Sequence, residues 1–198
     1  MSITYINRKG RTYYLCEGVT KTGKPRYLFS REPKGELLDE IPDGYKISES
    51  VNGIVSLAKA HPVLLSDQEI EFVKAAIKKH PQSRMYRLDV KSNQMIIYEQ
   101  VGPDLQEVAL SLATGSGYSS LEGEEIARRL DEEQIYTQYT PVMKFSLSDV
   151  KIRQFRAKRM CYFDDIDDWI DIAYDKSMEE LVNWLIPTLG TEEFFELY

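Results

Sequence analysis

The chain lacks the features that mark membrane, exported and disulfide-stabilised proteins. No run of about 18 apolar residues is present, so no segment is expected to span a membrane. The first residues, MSITYINRKG, have no apolar core of the length that a signal peptide needs. Cys16 and Cys161 are the only cysteines, and two thiols without an export signal indicate buried, reduced side chains. We therefore expect a cytoplasmic protein with no membrane partner.

Residues that mark common catalytic and metal sites are also scarce. The only histidines, His61 and His80, are each followed by proline and have no Cys or His at ligand spacing, so a zinc site is not expected. No Gly-x-Ser-x-Gly motif is present, and Lys21-Thr22-Gly23-Lys24 does not match a phosphate-binding Walker loop. The sequence therefore predicts no cofactor, no metal site and no catalytic residue, and it favours a protein that is not an enzyme.

Size and composition are those of a folded protein with a substantial core. The chain has 198 residues, of which 42% are hydrophobic and 29% charged, and a chain of this length buries about 70% of the surface that it exposes when unfolded. Periodicity predicts the α+β class, with an N-terminal antiparallel β-meander, two further β-hairpins and four to five helices. We expect residues 1–50 to form the meander with an acidic wrap, and residues 51–198 to form an α+β body, together one cooperative unit.

The basic residues concentrate near the start of the chain. Residues 4–31 hold seven Lys/Arg against one acid, together with five aromatic residues. Residues 1–31 carry a net charge of +6, whereas residues 32–198 carry −13. Such asymmetry indicates either a polyanion-binding end on an acidic body or two parts that dock on each other.

The meander is predicted from turn signals and alternation. Strands are expected at residues 5–6, 12–17 and 26–30, separated by turns that contain Gly10 and Gly23. Both faces of the second strand carry apolar groups, so at least one face is expected to be covered. Residues 32–50 are interpreted as an irregular wrap around this sheet.

Further elements follow from capping and periodicity. Ser66 and Glu69 match a capping box at the start of a helix over residues 66–80. Hairpins are predicted from residues 84–90 with 95–101, and from residues 143–148 with 152–163, and a short strand from residues 54–58. The remaining helices are predicted at residues 103–112, 124–133, 164–173 and 178–189, the last with a kink or an end at Pro187.

The basic aromatic sheet supports the leading functional hypothesis, a non-enzymatic binding protein with nucleic acid as its first candidate ligand. Lys/Arg neutralise phosphates, and flat side chains provide surfaces on which bases stack. The alternative is that the basic residues protect exposed strands from edge pairing while the aromatics fill the core. The candidate nucleic-acid-binding residues are Arg8, Lys9, Arg11, Tyr14, Lys21, Lys24, Arg26 and Tyr27.

An acidic run over residues 164–175 supports a second hypothesis, a divalent-metal-dependent hydrolase. On a helix, Asp164, Asp168 and Asp171 share one face, and clustered carboxylates can hold Mg²⁺ or Ca²⁺. The alternative is a solvated helix start that suits the helix dipole. A second basic run, in residues 151–159, either extends the first basic surface or pairs with these acids. An acidic protein partner or a structural role is the third hypothesis, and the sequence does not specify an oligomeric state.

Five segments together resemble a family of uncharacterised soluble prokaryotic proteins. These are NRKGRTYYL, KTGKPRYLFS and DEIPDGYKI near the start, and FDDIDDWIDI and LGTEEFFELY near the end. The resemblance implies that both ends belong to one folding unit, and it implies no activity, cofactor or site residue.

Overall fold

A computed structural model describes residues 2–102, 137–163 and 166–197 of the chain. The described residues fall into two compact units. The first unit contains residues 2–61 with 137–138, and the second contains residues 62–102 with 139–197. A boundary after residue 50 was predicted from the sequence. This position lies inside the β-hairpin over residues 45–59, which belongs to the first unit.

The first unit is built around an antiparallel sheet whose central strand is β2. One half of β2 pairs with β1 and the other half with β4 along the same edge, and β3 pairs along the opposite edge. The predicted three-strand meander is confirmed. The strands are β1 (Thr4–Ile6), β2 (Thr12–Val19), β3 (Pro25–Ser30) and β4 (Glu36–Leu37).

A second hairpin, β5 (Tyr45–Glu49) with β6 (Val55–Lys59), lies against this sheet. The Tyr27 ring meets the Tyr45 ring edge to face at 6.0 Å between centroids. The prediction of an irregular wrap over residues 32–50 is therefore wrong in part, because β4 and β5 both lie inside that range. Strand β5 pairs with β6 over its whole length, with Ile47 opposite Leu57. A periodic pattern over five residues is too short to indicate such a strand from the sequence.

The second unit contains a five-stranded antiparallel sheet in which consecutive strands are neighbours, in the order β7 to β11. Both predicted hairpins are confirmed. The strands are β7 (Tyr86–Val90), β8 (Gln94–Gln100), β9 (Tyr139–Asp149), β10 (Gln154–Phe163) and β11 (Ile166–Lys176).

Three α-helices are found among the described residues: α1 (Asp67–Lys79), α2 (Met178–Leu185) and α3 (Glu192–Phe195). The capping box predicted at Ser66 is present, and a second capping box, at Ser177, begins α2. The apolar stripes of α1 and α2 join the sheet in one buried core. A 3₁₀ turn over Ile186–Thr188 follows α2, so the predicted break at Pro187 is confirmed. None of these helices has the length and apolar character needed to cross a membrane.

The α+β class is confirmed, and one predicted helix is wrong. Residues 164–173 were expected to be helical, but Ile166–Lys176 form strand β11, which pairs with β10 over most of its length. The helix was expected to bury Ile166, Trp169, Ile170 and Ala173, but Ile172, which is not among them, is only 5% exposed. The β-branched and aromatic side chains of this segment favour a pleated strand once a partner strand is available. The helices predicted at residues 103–112 and 124–133 lie outside the described residues.

Candidate functional site

The turn between β1 and β2 carries two of the predicted site residues and is fixed by Asn7. The buried Asn7 side chain accepts hydrogen bonds from the backbone N–H groups of Lys9, at 3.0 Å, and Arg11, at 2.9 Å. An asparagine that binds its own following amides in this way closes a tight turn. Gly10 adopts a φ of 68°, which a glycine accepts without steric cost. The turn therefore holds the Lys9 and Arg11 backbones in a defined position.

The same asparagine joins this turn to the loop between β5 and β6. The Asn7 Nδ2 donates a 2.6 Å hydrogen bond to the carbonyl oxygen of Gly53. A Cβ at Gly53 would lie 3.0 Å from that nitrogen and 3.2 Å from Cγ of Lys9. Gly53 also has a φ of 76°, so both its conformation and its surroundings require glycine. Two loops that are far apart in sequence are thereby held side by side.

A cleft of about 260 Å³ lies where these loops meet the end of β3. Three cationic side chains line it, those of Lys9, Arg11 and Arg31, and no acidic residue is among its described lining. Its other lining residues are Tyr13, Asn52, Gly53, Ile54 and Gln138.

The pKa of Lys9 reflects its burial and the positive charges around it. Burial lowers the pKa of Lys9, and the positive charges of Arg11 and Arg8 lower it further. Its Nζ donates a 3.2 Å hydrogen bond to the carbonyl oxygen of Thr137. Like charges placed close together destabilise each other, and an anion bound among them would relieve that repulsion.

Arg8 is not among the residues that line the cleft, and it is already paired with Glu49. Its backbone N–H and its Nε each donate to Oε1 of Glu49 at 2.9 Å, and the Tyr5 hydroxyl donates to the other oxygen at 2.9 Å. Burial acts to raise the pKa of Glu49, but these hydrogen bonds outweigh it, so the pKa of Glu49 lies below its usual range. Arg8 therefore ties the turn to β5.

The other predicted cations lie at the opposite end of the sheet. Lys21 and Lys24 are exposed in the β2–β3 turn, which Thr20 closes by accepting the Lys24 N–H at 3.0 Å. Arg26 is exposed on β3, opposite Gly18. Eight residues of β2 separate this turn from the Lys9 turn. The structure thus divides the predicted patch into two groups, one at each end of β2.

The two aromatic residues of the predicted site are half-buried. Tyr27 packs against Tyr45, as described above, and Tyr14 lies on the other face of the sheet, beside Thr4 and Ser30. Tyr13 is 9% exposed. These rings contribute to packing, and the geometry supports the cationic part of the predicted surface more than the base-stacking part.

The acidic run does not assemble the carboxylate face on which the hydrolase hypothesis depends. Asp168 and Asp171 lie on opposite faces of β11, because they are three residues apart in a strand whose pairing there is regular. Asp171 binds Lys158, with 3.0 Å between Nζ and Oδ2. No group of three metal-ligating side chains is found among the described residues, and Asp164 lies outside them.

The second basic run is mostly engaged within its own unit. Arg153 pairs with Glu69 at the start of α1, where its Nε donates to Oε1 at 2.9 Å. Arg159 is buried and donates to the carbonyl oxygen of Leu197 at 3.0 Å. The predicted pairing with the acidic run is seen for Lys158, as described above.

Sequence reasoning missed three contributors to the cleft. Arg31 was counted among the basic residues but not assigned to the site, and Asn52 and Gly53 were not assigned to it either. The Asn-Gly pair carries a clear turn signal, but nothing in the sequence indicates that this turn meets the Lys9 turn. Comparison of the chain with family models, curated proteins and solved structures finds no match.

Proposed function

We propose that this protein is a non-enzymatic binding protein that holds a polyanion on its first unit, with nucleic acid as the first candidate ligand. One observation carries the proposal. Seven Lys/Arg lie in residues 4–31, and among the described residues only Arg8 of these seven has an acidic side chain within 4.0 Å. Like charges on one small unit repel one another, so six cations without an acidic partner among the described residues favour an external anion.

The local charge supports the same proposal. Residues 2–61 contain ten Lys/Arg and seven Asp/Glu, a net charge of +3, although the whole chain carries −7. An acidic protein is repelled from nucleic acid at long range, so binding depends on a local basic surface. The two groups of cations at the ends of β2 provide one.

The location and the partners are part of the proposal. A cytoplasmic location suits the two free thiols, Cys16 and Cys161. Phosphates contacted by Lys/Arg fix a nucleic acid without reading its sequence, so we expect binding that depends little on base sequence. An acidic protein surface is the second candidate partner, and it would use the same cations.

The test is retention on immobilised single-stranded DNA at low salt. The sheet variant replaces Lys9, Lys21, Lys24 and Arg26 with Gln. The control variant replaces four exposed lysines of the second unit with Gln: Lys78, Lys79, Lys91 and Lys151. Both variants lose four positive charges from a net charge of −7. We expect the wild type and the control variant to be retained and the sheet variant to flow through.

Two results would contradict the proposal. One is failure of the wild type to bind single-stranded DNA, double-stranded DNA or heparin at low salt. The other is equal weakening in both variants, which would show that net charge rather than the first unit governs retention. Circular dichroism of each variant checks that the fold is retained.

A further inference from the structure

We infer that the cleft lined by Lys9, Arg11 and Arg31 is a discrete subsite for one phosphate or pyrophosphate group. This inference rests on the proposed function and narrows it, because it assigns the two ends of β2 different roles. The cleft would hold a phosphate group among converging donors, whereas the exposed Lys21, Lys24 and Arg26 lie outside this subsite and would meet only other phosphates of a longer ligand.

The donors in the cleft suit a phosphate. Arginine presents a planar fork of N–H groups that matches two phosphate oxygens, and lysine supplies a compact positive charge. Lys9 uses one N–H on Thr137, at 3.2 Å, and an ammonium has three. Lys9 therefore has N–H groups to spare, and Arg11 and Arg31 line the same space.

The charge balance of the cleft also points to an anion. The side chains that face Lys9 from the β1–β2 turn and from the end of β3 are Arg11 and Arg31, and the β5–β6 loop contributes the uncharged Asn52 and Gly53. Glu49, which contacts the β1–β2 turn, is held by Arg8 and Tyr5. Among the described lining no carboxylate competes for the three cations, so a phosphate would be the first negative charge in the cleft.

The volume limits what the cleft can contain. A space of about 260 Å³ is about nine times the volume of a water molecule in the liquid, about 30 Å³. Pockets for drug-sized ligands begin at about 300 Å³. The cleft is therefore large enough for a phosphate or pyrophosphate group and is smaller than pockets that hold a whole drug-sized ligand. We expect recognition to depend on the phosphate, because Lys/Arg contacts to phosphate carry no information about the base.

Isothermal titration with sodium pyrophosphate tests the inference. The cleft variant combines Lys9→Met, which keeps the aliphatic stem, with Arg11→Gln and Arg31→Gln. The matched variant carries Lys21→Gln, Lys24→Gln and Arg26→Gln and loses the same charge. We expect binding of one pyrophosphate per chain, weakened at least tenfold in the cleft variant and changed less than twofold in the matched variant.

Two oligothymidylates, one with a 5′-phosphate and one with a 5′-hydroxyl, identify the source of the phosphate. Tighter binding of the phosphorylated strand supports a terminal phosphate as the occupant, and equal binding supports a phosphodiester of the backbone. Absence of pyrophosphate binding by the wild type, or equal losses in both variants, would overturn the subsite. If the wild type still binds DNA in that case, the subsite fails and the proposed function stands. If the wild type binds pyrophosphate but not DNA, the subsite stands and the proposed function fails.

Discussion

At the scale of single residues, Asn7 decides the shape of the basic end of the sheet. Its side chain accepts two turn amides and donates to Gly53, so it satisfies its hydrogen-bonding groups while buried. The turn itself was predictable from the sequence, because Asn7-Arg8-Lys9-Gly10 is a turn sequence. The bond to Gly53 spans 46 residues, and local sequence patterns do not carry information over that distance.

Gly53→Ala should strongly destabilise the first unit. The new Cβ would be forced into left-handed backbone, at a cost of about 1–2 kcal/mol. It would also press on the Asn7 amide, from which it would lie 3.0 Å, and crowding of this kind adds about 1–3 kcal/mol. Urea denaturation measures the resulting loss in the free energy of unfolding.

Gly23→Ala is the matched control for that substitution. Gly23 has nearly the same φ, 78°, but a Cβ there would meet nothing within 4 Å. We expect only the conformational cost, about 1–2 kcal/mol. Equal destabilisation by the two substitutions would show that the close approach of Gly53 to Asn7 contributes nothing.

At the scale of elements, the segment that ends in Lys176 shows where local periodicity fails. Ile166, Trp169, Ile170 and Ala173 match a helical stripe, yet the segment is strand β11. The pairing with β10 supplies backbone hydrogen bonds over a long stretch, and a partner strand cannot be recognised from the segment's own sequence. By contrast, α1 and α2 were predictable because their capping boxes and apolar stripes are local features.

Ile172→Ala distinguishes the strand from the helix. In the strand, Ile172 is 5% exposed, and truncation of a buried isoleucine costs about 2–5 kcal/mol. In a helix with the predicted stripe, the same side chain would face away from the core and its loss would change little. The control is Ile152→Ala, at a position that is 64% exposed, where we expect a change within about 0.5 kcal/mol. Thermal and urea denaturation would measure both, and equal effects would contradict the strand.

At the scale of the whole molecule, the N-terminal part of the chain has a net charge opposite in sign to that of the whole chain. The chain carries −7, while residues 2–61 carry +3. This asymmetry in charge could be predicted from the sequence, because the basic residues that cause it can be counted there. The convergence of Lys9, Arg11 and Arg31 was not, because it depends on how the β5–β6 loop meets the sheet. Composition thus supports the proposal of an anionic ligand, and only the tertiary structure shows that these three cations line one cleft.

The salt dependence of DNA binding should report how many cations take part. For single strands, the logarithm of the binding constant falls with the logarithm of salt concentration by about 0.7 per phosphate neutralised. Engagement of both groups, six cations in all, gives a slope near −4, and the cleft group alone gives a slope of about −2. Fluorescence anisotropy across a salt series measures the slope. A slope near zero would contradict electrostatic binding by the first unit.

The length of strand β2 sets the distance between the two groups of cations. Its eight residues span about 26 Å at about 3.3 Å per residue, and a duplex of about eight base pairs covers that length at 3.4 Å per pair. A shorter oligonucleotide could reach only one end of the sheet. A longer one could engage both ends at once, and its second contact would then be intramolecular. Ligand length, rather than base sequence, would then become the variable to which this protein is most sensitive.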